Sequence, residues 1–532
     1  MDSLRRKLFI VAGFLALSLS FVNLRLCLNN GVLADPFHSG EYFAALLSLI
    51  RQTSFVPLTI HGAMDYAPGL LSMFLFGKGH YFFATEMGYV LLAFLGAVFL
   101  FLLLLKFDLS GPQLIIAGFL IPWLVDYRDF SLIIPVWLYF LSVDQKPGAR
   151  NFIFLLLLGL AGAFNFYWSA NRGLAGAVSI GAALIILSFR DKRYLLPVGV
   201  FAAAVAALSF VHPVLALDHY LENLFILAKT SYQWGYGLQR DPVILSIYMA
   251  LMLTGASALI VHQAAGGKTT KTTASACLMV FLLVFYYQIS TYRADFFHIP
   301  MGLMACLIGI SYWQSIRLKP DRGPAKFECA ILWTLTALTV LVSIFFDQRY
   351  GIFLVAFLLM LIFQRAASGR NSRPVLLLIL AVFYLAVGFG VGQHAVRGAY
   401  KWVSHIFTPP PNAALATKPM QWVSGRLIQS KTGCVFDMTN NGIINALADL
   451  PACSRFSYIV YADGKFENEL IRCLDKTRPT AVVYSTTFWS YSIDGRPMRL
   501  RFPDLDRRIR ERYPYEKCEY GYCLRYLYPP HE

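Results

Sequence analysis

Of 532 residues, 57% are hydrophobic and only 14% charged, with a mean hydropathy of +0.56, which excludes an ordinary water-soluble protein and makes a bilayer the solvent for most of the chain. A net charge of +16 would suggest nucleic acid in a soluble protein, but here the cations mark one side of a membrane, so no nucleic-acid partner is expected.

Apolar stretches long enough to cross a hydrocarbon core of about 30 Å as helices recur up to residue 392. They predict about thirteen membrane spans, near 8–28, 82–105, 112–125, 130–142, 152–168, 174–189, 194–214, 242–262, 275–291, 297–313, 327–345, 350–364 and 374–392. With the N-terminus inside, the strongly basic connections all fall on the cytoplasmic side: Arg5, Arg6 and Lys7; Lys146 and Arg150; Arg190, Lys192 and Arg193; Lys268 and Lys271; Arg317, Lys319, Arg322 and Lys326; Arg365, Arg370 and Arg373. An odd number of spans then exports the C-terminal part. The expected class is mainly α: a polytopic helical membrane domain over 1–397, followed by a small α/β domain over 398–532 on the far side.

Two outer connections are long. The first, 29–81, contains amphipathic pieces at Glu41–Ile50 and Tyr66–Phe76 that are expected to lie along the membrane surface. The second, 215–241, mixes aromatics with single charges, and the two can roof one cavity. In the C-terminal domain the pattern predicts strands at 434–438, 481–484 and 523–527, with helices at 443–448, 465–474 and 504–511. That domain carries no phosphate fingerprint, metal-ligand spacing or nucleophile elbow, so recognition is expected of it. Five of the nine cysteines fall there. Cys434 with Cys453 and Cys518 with Cys523 are the preferred pairs, although five reduced thiols remain the alternative.

The densest ionisable set outside that domain is the first outer connection, with Asp35, His38 and Glu41 in ADPFHSGEYF and His61 and Asp65 in IHGAMDYAPG. Taking a proton from an acceptor hydroxyl requires an ionised carboxylate partly shielded from water at the membrane surface. Asp35 fits best, with His38 or a bound cation holding its pKa down. The short outer turn VDYRD adds Asp126, Arg128 and Asp129. If the turns converge, Asp35, Asp126 and Asp129 can bind Mg²⁺ or Mn²⁺, or can hold base and acceptor in place. Helix capping is the plainer use of an Asp-x-x-Asp turn. Arg172, Arg293 beside His298, and Arg349 are candidate phosphate ligands, each with snorkelling or pairing to an Asp as the alternative. Tyr232 and Trp234 can stack on a sugar or belong to an aromatic belt. His212 and His219 flank Asp218, either as ligands or as hydrogen-bonded residues.

The layout resembles the GT-C superfamily of membrane glycosyltransferases, which includes protein O-mannosyltransferases, the aminoarabinose transferase of lipid A and the catalytic subunit of oligosaccharyltransferase. The resemblance rests on a long first outer connection with an acid soon after span one, here Asp35 in ADPFHSGE. A second acidic turn follows, here Asp126 and Asp129, and an exported domain ends the chain. The Trp-Trp-Asp-Tyr-Gly motif of oligosaccharyltransferases is absent. The resemblance implies an inverting transfer of a sugar from a polyprenyl-phosphate donor to a glycan, lipid or protein acceptor, with the first-loop acid as base. The stretches TNNGIINALADLPACSRFSY and STTFWSYSIDGRPMRLRFPDL resemble the tail of bacterial membrane proteins of this general type, which implies a bacterial source and, with the exported C-terminal domain, the periplasmic face of an inner membrane. A transporter or flippase is the rival class, but it would set polar groups at mid-membrane, where these spans are nearly free of charge.

Overall fold

The computed structural model describes residues 3–22, 36–51, 55–59, 61–64, 66–77, 79–230, 240–266, 269–291, 298–316, 326–346, 403–405, 407–462, 464–485 and 498–530. The chain divides into two compact units that do not follow chain order: residues 1–28, 90–205 and 238–400 form one, and 29–89, 206–237 and 401–532 the other.

The first unit is helical. Among the described residues of the chain, six helices are long and apolar enough to cross a membrane: Thr85–Lys106, Ala149–Trp168, Ala170–Ser188, Lys192–Ser209, Asp241–Ala265 and Thr270–Thr291. The protein is a multi-pass membrane protein. Helices Ser3–Phe21, Gly111–Leu124, Phe130–Asp144, Ile299–Ser315 and Lys326–Phe346 coincide with five further predicted spans. Two of these have only 14 and 15 residues, about 21 and 22 Å at the α-helical rise, so neither alone reaches across a core of about 30 Å. The predicted spans at 350–364 and 374–392 lie outside the described residues.

Small residues let these helices approach closely. A side chain on Gly118 would collide with the Gly13 backbone, and one on Gly111 with the Phe9 ring, so helices Ser3–Phe21 and Gly111–Leu124 pack tightly. The core continues through Tyr139, Tyr286 and Trp313, all fully buried aromatics.

The second unit contains a four-stranded sheet. Strands β1 (Phe436–Asp437), β2 (Ala481–Ser485), β3 (Tyr515–Glu519) and β4 (Tyr522–Tyr526) lie in the order β1-β2-β4-β3. β1 and β2 are parallel; the other two pairings are antiparallel, with Val483 opposite Leu524 and Lys517 opposite Leu524 on its other side. Helix Lys418–Gln429 covers one face through Val423 and Leu427, which meet Val435, Ile444, Val483 and Leu524. Both expected disulfides, Cys434–Cys453 and Cys518–Cys523, are formed, and Cys473 is the fifth, unpaired cysteine of this segment.

Helix Pro36–Ile50 departs from expectation. Instead of lying on a membrane surface it is buried from Gly40 to Ser48 and packs on helix Ile443–Ala448. The stretch YFAALLSLI is apolar on every side, and a helix apolar all round is an interior helix. Helix Ala67–Phe76, by contrast, exposes Leu70, Leu71, Phe74, Leu75 and Phe76, as an interfacial helix requires. The two long connections meet within this unit: the Asn223 amide lies 3.5 Å from Thr59 Oγ1. Arg455 of the C-terminal segment joins them, donating to Glu222 at 2.9 Å and to both oxygens of Glu469 at 2.7 and 3.0 Å, while its carbonyl accepts the Leu58 N–H.

Candidate functional site

Two clusters hold most of the described candidates, one in each unit. In the first unit the chain leaves helix Gly111–Leu124 just after Pro122, which cannot donate to a continuing helix, and turns through Asp126 to Asp129 before helix Phe130–Asp144 begins. The turn closes on itself: Asp126 N–H donates to Asp129 Oδ2 at 2.7 Å, and Tyr127 N–H to Asp126 Oδ1 at 2.7 Å. Asp129 makes no side-chain bond to its own helix, so simple capping does not explain it.

Arg172 explains it instead. Its Nε donates to Asp129 Oδ1 at 2.5 Å and its Nη2 lies 3.4 Å from Asp126 Oδ2. Arg128 Nε donates to that same Asp126 oxygen at 2.9 Å. Tyr286 of helix Thr270–Thr291 donates to Asp129 Oδ1 at 3.2 Å, and Met301 Sδ of helix Ile299–Ser315 sits 3.3 Å from Arg172 Nη2. Two carboxylates and two guanidinium groups thus balance in charge, which lets Asp129 and Arg172 be buried almost completely. Asn165 holds the framework: its amide donates to the Arg172 carbonyl at 2.9 Å and accepts from Ser131 Oγ at 2.8 Å, tying three helices at one point.

The arrangement divides the sequence-predicted roles. Asp129 does not fit a divalent cation, because Arg172, Tyr286 and the Asp126 N–H occupy both of its oxygens and it has no exposed surface. Arg172, expected as a phosphate ligand, has its Nε and Nη2 turned to the two carboxylates, with its side chain 3% exposed. Asp126 and Arg128, at 17% and 13%, are the members of the cluster that retain access. His298 immediately precedes helix Ile299–Ser315, and its carbonyl accepts the Met301 N–H.

In the second unit, helix Pro36–Ile50 carries Glu41. Its carboxylate is buried and accepts from Tyr461 Oη at 3.2 Å, with His61 Nε2 at 3.5 Å from the same oxygen. Glu41, Tyr42, Thr59, His61 and Tyr66 line a small pocket with Ala45, Leu58 and Gly62. Burial pushes the Tyr66 phenol up to about 12, so it stays protonated. Asp437, at the end of β1, is enclosed: burial pushes its carboxyl up, against the Thr439 hydroxyl at 2.6 Å and the Thr439 and Asn441 N–H groups at 2.7 Å.

His212 and His219 each have a hydrogen-bond partner of their own. His212 Nδ1 accepts the Val214 N–H, and His219 Nε2 faces the Asn223 amide at 3.2 Å. Asp35, Asp65, Tyr232, Trp234, Arg293 and Arg349 lie outside the described residues, and of His38 only the backbone is described, within helix Pro36–Ile50. Tyr286 and Tyr461 were missed by sequence reasoning, since a tyrosine in an apolar run carries no signal of its partner. Asn165 and Arg172, polar residues close together in NFYWSANR between two apolar runs, were a usable one.

No protein-family model matches the sequence, and no curated protein matches it. Solved structures do. The apo form of the Archaeoglobus fulgidus oligosaccharyltransferase is similar with a TM-score of 0.51 at 11% identity, covering 95% of this chain and 73% of that one. The archaeal oligosaccharyltransferase AglB from Archaeoglobus fulgidus, in complex with an inhibitory peptide and a dolichol-phosphate, gives 0.49 at 10% identity over 96% and 73%. ArnT from Cupriavidus metallidurans bound to undecaprenyl phosphate gives 0.46 at 13% identity over 99% of both chains. The chain shares its fold with the Archaeoglobus fulgidus oligosaccharyltransferase.

Proposed function

We propose that this protein is a glycosyltransferase that moves a sugar from a polyprenyl-phosphate donor to a glycan, lipid or exported protein acceptor at the outer face of a bacterial inner membrane. The observation that carries the reading is the fold shared with the Archaeoglobus fulgidus oligosaccharyltransferase over 95% of the chain. It is joined by the buried Glu41 of helix Pro36–Ile50 and by Asp126 in the turn before helix Phe130–Asp144. The two disulfides support a C-terminal segment outside the cytoplasm.

In the reaction, the acceptor hydroxyl oxygen attacks the anomeric carbon from the face opposite the phosphate. The new carbon–oxygen bond forms as the bond to phosphate breaks, polyprenyl phosphate leaves with the electron pair, and the configuration inverts. A carboxylate takes the hydroxyl proton. Asp35, which immediately precedes helix Pro36–Ile50, is the base in this reading, with Glu41 and Asp126 as the supporting acids. Guanidinium groups, with Arg128 the accessible one of its cluster and Arg293 and Arg349 further candidates, hold the phosphate as its charge develops.

The test is to profile lipid-linked sugars in membranes containing wild-type protein or Asp35→Ala. One polyprenyl-phosphate sugar should accumulate only with the variant, and that sugar names the donor. Identical profiles, with both proteins present in equal amount, would refute the proposal.

A further inference from the structure

Glu41 and Tyr461 are 420 residues apart in sequence, yet the Tyr461 hydroxyl donates to Glu41 Oε2 at 3.2 Å and both residues are 3% exposed. The contact is built from both sides. On the helix bearing Glu41, the preceding residue is Gly40, where a side chain would fall 2.8 Å from Tyr458 Oη and from the Ile443 nitrogen, so only glycine lets this turn of helix settle on the C-terminal segment. On that segment, Tyr458 Oη accepts the Gly442 N–H at 3.2 Å and its ring stacks on Tyr461 at 6.1 Å. Tyr461 itself lies in the short turn Ile459–Ala462, whose residues are all buried and whose Val460 N–H is held by Asn440 Oδ1 at 3.2 Å. The phenol is therefore fixed before it meets the carboxylate.

We infer that Tyr461 is a positioning residue for Glu41, its hydroxyl fixing one carboxylate oxygen in the wall of the pocket lined by Thr59, His61 and Tyr66. The C-terminal segment thus completes a site that otherwise belongs to the first long connection. A carboxylate tethered through one oxygen loses rotational freedom, which is what a group that orients an acceptor hydroxyl needs. A donor on the ionised form also favours ionisation.

This inference rests on the glycosyltransferase reading, and its test separates the two. Full-length wild type, Tyr461→Phe, Glu41→Gln, His61→Gln and the Tyr461→Phe/Glu41→Gln double variant are purified in detergent. Each is given the lipid-linked sugar that accumulates in Asp35→Ala membranes, together with membrane extract as acceptor, across a range of pH. Tyr461→Phe keeps the ring that stacks on Tyr458 and removes only the oxygen. Its turnover should fall roughly tenfold and its acidic limb should move up by about one pH unit, since a carboxylate without its donor is protonated more easily. Glu41→Gln should abolish that shift, and the double variant should be no worse than Glu41→Gln alone. His61→Gln, which removes the other titrating group near the carboxylate, should leave the Tyr461→Phe effect to be read separately. A wild-type rate and pH profile for Tyr461→Phe, or effects of the two substitutions that simply add, overturn the positioning role while leaving the reaction standing. No turnover by wild type overturns both.

Discussion

Gly40 and Gly442 meet backbone to backbone: a side chain built on Gly442 would collide with the Gly40 carbonyl oxygen, and one on Gly40 would lie 2.9 Å from the Gly442 nitrogen. Gly442 has an ordinary helical φ of −63°, so the requirement is for space and not for backbone freedom. Gly442→Ala should therefore lower the stability of the unit by about 1–3 kcal/mol through overpacking. Thermal unfolding of the full chain in detergent reads this as a lowered Tm, whereas an unchanged Tm would mean that the helix bearing Glu41 can move off without cost.

Arg172 and Asp129 make a buried pair whose members need each other. Asp129→Ala leaves a guanidinium without its main counter-charge, and the expected loss is about 3–5 kcal/mol. Replacing both, as Asp129→Leu with Arg172→Met, should recover most of that loss, because the desolvation cost of both ions disappears together. Tyr286→Phe, which deletes only the hydroxyl bond to Asp129, should cost about 1 kcal/mol. Yield and Tm of the detergent-purified variants check the order. Equal stability of Asp129→Ala and wild type would remove the structural role assigned to this pair.

Much of the framework was legible because membrane helices announce themselves by length and apolarity. Helices such as Ala149–Trp168, Arg240–Ala265 and Lys326–Phe346 begin and end within a few residues of the predicted spans. Strand β3 and helix Lys418–Gln429 are among the elements of the C-terminal segment that were not read. Strand β3, YEKCE, is an exposed edge with little apolar alternation. Helix Lys418–Gln429 did offer a signal, Thr417 followed by a proline in the first turn. The candidate site was legible as a set of acids and not as contacts. VDYRD marked the turn, but nothing local says that Asp129 will face Arg172 and Tyr286, or that Glu41 will meet Tyr461. Those partners come from other helices and from the far end of the chain, so only tertiary packing brings them together.

His219 gives the second unit a defined response to acid. Burial lowers its pKa below the usual 6.5, against the Pro57 carbonyl and Glu222, which favour the charged form. The unfolded chain therefore takes up this proton first as pH falls. The contribution of His219 to stability is whole above pH 6.5 and declines below it until the folded-state pKa is passed. In His219→Gln that share of the decline should vanish. Tm measured against pH for both proteins, expressed as a difference, should be flat above neutrality and should narrow in favour of the variant below pH 6.5. A difference that is constant over the whole range would show that His219 takes up its proton alike in the folded and unfolded states.

Cys434 and Cys453 close a loop with a sequence separation of 19, and that loop carries β1, the enclosed Asp437 and the Gly442 contact with Gly40. Cross-linking a loop of this size restricts the unfolded chain by about 3 kcal/mol in the chain-entropy account. The double substitution Cys434→Ser/Cys453→Ser should lower stability by that order, whereas Cys518→Ser/Cys523→Ser, with a separation of 5 at the exposed turn joining β3 to β4, should cost less. Because the larger loop also presents Gly442 to helix Pro36–Ile50, its loss should expose that helix: protease cleavage between residues 36 and 50 should rise in the first variant and not in the second. Equal protection in both variants would mean that the helix holds its place without the 434–453 bridge.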